Sequence, residues 1–134
     1  MTRRDVIFPA GRADIYKKMG YSAAVRSGDF LFVSGQVGSL EDGSAVADIG
    51  EQYRQAFRNL KAVLAAAGCT FDDVVDITSF HVDPEANMHH FAAAKAEVFG
   101  AEPYPNWTAV GVTWLGGFQF EIKVIARIPE RSRA

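Results

Sequence analysis

The apolar residues of this chain change period partway along it, from about two between Tyr21 and Gly38 to about three and a half from Ile49 onward. A chain with both periods must build a sheet and at least one helix that covers it. Between Tyr21 and Gly38, β-branched and aromatic residues flank Ser27, Gly28 and Asp29, the composition of a hairpin with a short loop. Ile49, Tyr53, Ala56, Phe57, Leu60, Leu64 and Ala67 then recur at helical steps and define one face. Asp48 and Glu51 have capping-box spacing, with Asp where Ser or Thr is more usual, and Gly68 supplies a stop.

The remaining segments extend the pattern. Asp5 to Phe8 reads as a short strand ahead of the hairpin, and Val74 to Val82 as a strand covered on both sides, since its apolar residues leave neither face polar. Asp83 is the expected cap of a second helix, with Pro84 at its first position, Met88, Phe91, Ala92, Lys95 and Phe99 along one side, and Gly100 closing it. Asn106 to Leu115 and Phe118 to Ile128 read as strands joined through Gly116 and Gly117. The order predicts an α+β fold, a mixed sheet with both helices on one face. At 134 residues the chain has room for one domain, 1–134.

Composition narrows the function. Apolar residues make up 49% and charged residues 22%, which fits an ordered globular chain. The net charge of -2 and the lack of a basic, aromatic-laced stripe argue against a nucleic-acid partner. No apolar run approaches a membrane span and no secretory signal opens the chain, so a cytoplasmic protein is expected. Cys69 stands alone, reads as a small, partly buried apolar residue, and rules out an internal disulfide. His81, His89 and His90 lack metal-ligand spacing, and no metal site is expected. Gly35 to Gly38 lacks the lysine of a phosphate loop, and Trp114 reads as core or interface.

Alternation along the last strand sets Phe118, Phe120, Ile122 and Val124 on one face, with Gln119, Glu121, Lys123 and Ile125 on the other. Read from the residues alone, Glu121 and Lys123 are a solvated pair on an exposed sheet surface.

Tyr21-Ser-Ala-Ala-Val25, the Ser27-Gly-Asp29 turn and the run from Leu31 to Gly38 form one distinctive block, and Pro105-Asn-Trp107-Thr-Ala-Val110 with Phe120-Glu-Ile-Lys123 forms a second. Together they resemble the RidA/YjgF family of small trimeric proteins, whose best-known members hydrolyse reactive enamines and imines to ketones and ammonia. The resemblance implies a chorismate-mutase-like subunit, a homotrimer with clefts between neighbouring subunits, a small-molecule substrate and no cofactor. It makes Glu121 the catalytic residue that handles water and protons, a role that asks for a carboxylate whose pKa burial can raise. Tyr21, Ser34 and Gly35 match positions that orient the ligand, although Ser34 also reads as a strand-end serine bonded to backbone and Tyr21 as a half-buried strand aromatic.

Two positions depart from the family. Lys123 replaces a common acidic residue and would lower the Glu121 pKa. Trp107 stands where deaminating members carry an arginine that grips the substrate carboxylate by two parallel hydrogen bonds, which an indole with one donor cannot do. Losing such a partner costs about 2–5 kcal/mol. The expected substrate is therefore a small imine, enamine or related C=N compound other than a simple 2-iminoacid. Trp107 is read either as a stacking wall, with Asn106 and Thr108 supplying hydrogen bonds, or as packing at a subunit interface. The rival to a hydrolase is a non-catalytic small-molecule-binding or regulatory trimer. A ribonuclease or translation inhibitor, also attributed to relatives, fits the acidic balance poorly.

Overall fold

The computed structural model describes residues 3–133. Six strands form one sheet: β1 (Asp5–Ile7), β2 (Ala24–Ser27), β3 (Phe30–Val37), β4 (Val74–His81), β5 (Asn106–Gly111) and β6 (Phe120–Arg127). Three helices accompany them, α1 (Ala13–Met19), α2 (Ile49–Ala66) and α3 (Pro84–Phe99). The sheet order is β1-β2-β3-β6-β4-β5, with every neighbouring pair antiparallel except β4 and β5.

The expected α+β architecture is present, with both long helices on one face. On β6, Phe120, Ile122, Val124 and Ala126 point into the core, and Tyr53 of α2 and Phe91 of α3 both stack or tilt against Phe120. Each fully buried Leu or Ile, such as Leu60 and Ile122, stabilises the fold by about 1.5–3 kcal/mol. The Asp48 carboxylate accepts from the Glu51 amide at 3.0 Å, capping α2 from one side, while the Glu51 side chain pairs with Arg54 and Arg58.

Several expectations are corrected. Helix α1 has no counterpart among the segments read from the sequence; a turn from Pro9 to Arg12 with Gly11 at positive φ leads into it, and Gly20, at φ of 85°, ends it in the left-handed region. Asp83 precedes α3 with φ of 53° and makes no side-chain cap. The inner face of α3 is Asn87, Phe91, Ala94 and Phe99, whereas Met88 is exposed.

Within the single chain, strand β4 packs against the helices by one face. A bulge at Val75 shifts its register against β6, so Val74, Ile77, Ser79 and His81 all face the helices despite their uneven spacing. That shift lets Val74 and Ile77 share a face, while Phe80 stands on the Glu121 side. Strands β5 and β6 do not form a hairpin. The chain passes through α3 and lays β5 parallel to β4 at the sheet edge, then crosses through Gly116 and Gly117, both at positive φ, to reach β6 on the other side of β4. Trp114 lies in that crossing at 76% exposure, neither strand nor subunit core.

Candidate functional site

Strand β3 bulges where it matters. Val33 pairs with Val124 and Gln36 with Ile122, so Ser34 and Gly35 together stand opposite Lys123. The bulge brings the Gly35 backbone under the Glu121 carboxylate. A Cβ built on Gly35 would lie 2.5 Å from Glu121 Cδ and 2.6 Å from Oε2, so only glycine leaves room for the acid in this position. Glu121 is half-buried on the sheet face opposite the helices. Burial pushes its carboxyl above the usual carboxylate range, and Lys123 pulls the other way without prevailing.

Tyr21 is the next member. Partial burial raises its pKa, with further contributions from Tyr16 and from the Glu121 charge, so the phenol keeps its proton and remains a donor beside the acid. Its ring meets Tyr16 edge to face at 5.2 Å. The Ser34 hydroxyl donates to the Ser22 carbonyl at 2.7 Å, the backbone-bonded arrangement that was one of its two sequence readings.

Sequence reasoning missed Arg12, Tyr16 and Gln36. With Tyr21, Gly35 and Phe118 they line a cavity of about 90 Å³. Tyr16 donates to Gln36 Oε1 at 3.2 Å, and Gln36 Nε2 donates to the Ser34 carbonyl at 3.1 Å. Gln36 is an apolar-facing strand residue with a buried amide, and only that polar interruption of β3 signals a site.

The other candidates divide between the two faces of the sheet. Lys123 and Thr108 flank Thr78 on the Glu121 face, and both are exposed. Asn106, on the same face, donates to Asp76 at 2.7 Å. Trp107 pairs with Ile77 and therefore lies on the helix face. Its indole packs edge-on against Phe91 and Phe99, Lys95 Nζ sits 4.6 Å from its ring centroid, and Nε1 donates to Ser79 at 2.9 Å. It also borders a groove between α3 and β5, shared with Lys95 and Tyr104. Within one subunit Glu121, Gly35, Tyr21 and Ser34 come together, and Trp107 does not join them.

Behind Trp107, Ser79 Oγ lies 2.8 Å from His81 Nε2. Ser79 Oγ accepts from Trp107 Nε1 and shares a second hydrogen bond with His81 Nε2, while His81 Nδ1 is buried without a partner among the described residues. His81 is 1% exposed among Tyr53, Phe91 and Phe120, and burial lowers its pKa. Below the ordinary histidine value of 6.5 the unfolded chain binds a proton that the folded chain refuses. Stability should thus fall as pH drops from about 6.5 toward the depressed value, with a slope of up to ~1.4 kcal/mol per pH unit from this one group. Thermal unfolding followed from pH 8 to 5 in wild type and His81→Leu checks it; the variant's curve should be flatter by that amount.

Among the described residues, no group of three or more His, Cys, Asp or Glu side chains could hold a metal ion, and no helix is long and apolar enough to cross a membrane.

Comparison with known proteins shows the same fold and a family. Residues 12–128 match the sequence model of the Endoribonuclease L-PSP family. The chain is 64% identical over 131 residues to the RutC family protein YjgH of Escherichia coli K12, covering 98% of this chain and 100% of that protein. It is 33% identical over 99 residues to a 2-iminobutanoate/2-iminopropanoate deaminase of Dermatophagoides farinae, covering 71% and 74%. A solved structure described as protein YJGH superposes with a TM-score of 0.92 at 64% identity, covering 96% of this chain and 99% of that one. A family model spanning most of the chain, a relative 64% identical over its full length and a shared fold lead to one conclusion: the chain belongs to the RidA/YjgF family, the group also described as Endoribonuclease L-PSP.

Proposed function

We propose that this protein hydrolyses a small reactive imine or enamine to a carbonyl compound and ammonia, with Glu121 as the proton-handling group. The observation that carries the reading is the half-buried Glu121 carboxyl with a raised pKa, seated over Gly35 beside the neutral Tyr21 hydroxyl. The carboxylate takes a proton from water as its oxygen attacks the C=N carbon. The protonated acid returns that proton to nitrogen to give a carbinolamine; the carboxylate then carries the carbinolamine hydroxyl proton to nitrogen, and the C–N bond breaks as the C=O bond forms, releasing ammonia. Tyr21 orients the substrate by hydrogen bonding, and a carboxyl tuned toward neutrality suits an acid and base that must change roles.

Trp107 and Glu121 occupy opposite faces, so a ligand touching both would meet them on different subunits. A homotrimer is the assembly proposed. The open face that carries Glu121 supports it, since Phe30, Phe32 and Val110 are 38%, 44% and 39% exposed there, an apolar surface that a neighbouring subunit would cover. Without an arginine at position 107, simple 2-iminoacids are not the proposed substrates.

The test is ammonia release from a panel of imines generated in the assay, with and without carboxylates next to the C=N carbon, across pH. Turnover above buffer is expected, largest for compounds without the adjacent carboxylate. The acid limb of kcat/KM should lie above the ordinary glutamate value of 4.5, because Glu121 must be ionised to start the reaction. No turnover of any member would refute the hydrolase and leave a non-catalytic binder.

A further inference from the structure

Arg12 is the one charged side chain among the described residues lining the cavity behind Gly35 and Tyr21. Its guanidinium is fixed rather than free: Nη1 donates to Ser39 Oγ at 3.0 Å and Nη2 to the Ser39 carbonyl at 3.1 Å. That carbonyl is itself held by Asn59 Nδ2 at 3.0 Å, which ties Arg12 to helix α2. The other N–H groups of the planar fork have no acceptor among the described residues, and Arg12 forms no ion pair there, unlike Arg26, Arg54, Arg58 and Arg133. A half-buried, immobilised and unneutralised guanidinium facing a cavity is an anion-recognition element.

Taking the Glu121 cluster as the reacting centre, we infer that Arg12 binds a carboxylate carried by the substrate away from its C=N group. Gly35 and Tyr21 connect the two places, since both line the cavity while Gly35 seats Glu121 and Tyr21 feels its charge. The cavity of about 90 Å³ is too small for a whole ligand, whose sites usually run to ~300–1,000 Å³, and accommodates a carboxylate on a short stem. Ile15, Met19 and Phe118 supply apolar walls for that stem. The substrate class is thus an imine or enamine with a carboxylate separated by a few bonds from the reacting carbon. An acid placed there stays clear of the Glu121 charge.

Binding of 4-oxopentanoate, a ketone with a distal carboxylate, and of its methyl ester measures this directly on the assembled protein by calorimetry. Wild type should bind the acid and not the ester. Arg12→Met should weaken acid binding about tenfold, the discount from a fully buried pair reflecting its partial exposure. Arg12→Lys, which keeps the charge without the fork, should weaken it severalfold and serves if the Met variant does not fold. In turnover assays Arg12→Met should raise KM for distal carboxylate substrates with kcat nearly unchanged. Equal binding of acid and ester by wild type, or wild-type affinity in both Arg12 variants, overturns the inference. Retained, Arg12-dependent binding without any turnover would instead refute only the hydrolase reading.

Discussion

Glu121→Gln is expected to lower kcat/KM for imine hydrolysis by about 10²- to 10⁴-fold, the usual worth of a positioned general acid and base. The amide keeps the shape of the side chain over Gly35 but can neither take a proton from water nor return one to nitrogen. Stability should move the opposite way. The folded pKa of Glu121 is raised because burial penalises the carboxylate, so the folded chain holds more protons than the unfolded chain between 4.5 and the raised value. Stability contributed by this group is present at low pH and lost as pH rises through the folded pKa. Above the raised pKa the ionised acid is a liability that glutamine removes, so there the variant's melting temperature should equal or exceed that of wild type. Steady-state kinetics and thermal unfolding on the same preparation check both halves. An inactive variant that is also less stable would assign Glu121 to architecture, and an active one would move the chemistry elsewhere.

Gly35→Ala should cost about 10²-fold in kcat/KM while leaving the fold intact, as expected when a reacting group is displaced by about an ångström. The added methyl would fall 2.5 Å from Glu121 Cδ, and the carboxylate is the flexible end of a side chain that yields readily. Gly35 is not at positive φ, so alanine meets no backbone strain. Gly38 three residues on provides the contrast, because a Cβ there would overlap the Gln52 main-chain carbonyl and disturb α2 itself. Gly35→Ala should therefore melt close to wild type, shift the pH at which the acid limb falls, and lose turnover. Unchanged kinetics would mean that the position of Glu121 over Gly35 is not the one used in reaction.

The residues that could be read in advance are those whose fate is set by near neighbours. The alternation of β6 separated Phe120, Ile122 and Val124 from Glu121 and Lys123 correctly, because a strand has only two faces and one must be apolar. Helix α2, its Asp48 cap and its end near Gly68 followed from spacing and capping chemistry in the same way. Ser34, Gly35 and Tyr21 were singled out by resemblance, and no local rule would have found them.

Chain-distant pairing decided the rest. Period two states that residues share a face but not which strand lies alongside, so the parallel docking of β5 on β4 could not be read from Asn106 to Gly111. That pairing alone turned Trp107 toward Phe91, Phe99 and Ser79 and away from Glu121. The bulges at Val75 and at Ser34 and Gly35 are likewise products of register between strands, set when the whole sheet closes over its core. Nothing in the residues around Arg12 marks it as part of a site, and it is the folded chain that carries it to a cavity formed with Gly35 and Phe118. Local patterns thus fixed the elements and their inner faces, since those depend on burial within a few residues. Which groups meet around Glu121 depended on contacts between distant segments, whose geometry exists only once the chain is folded.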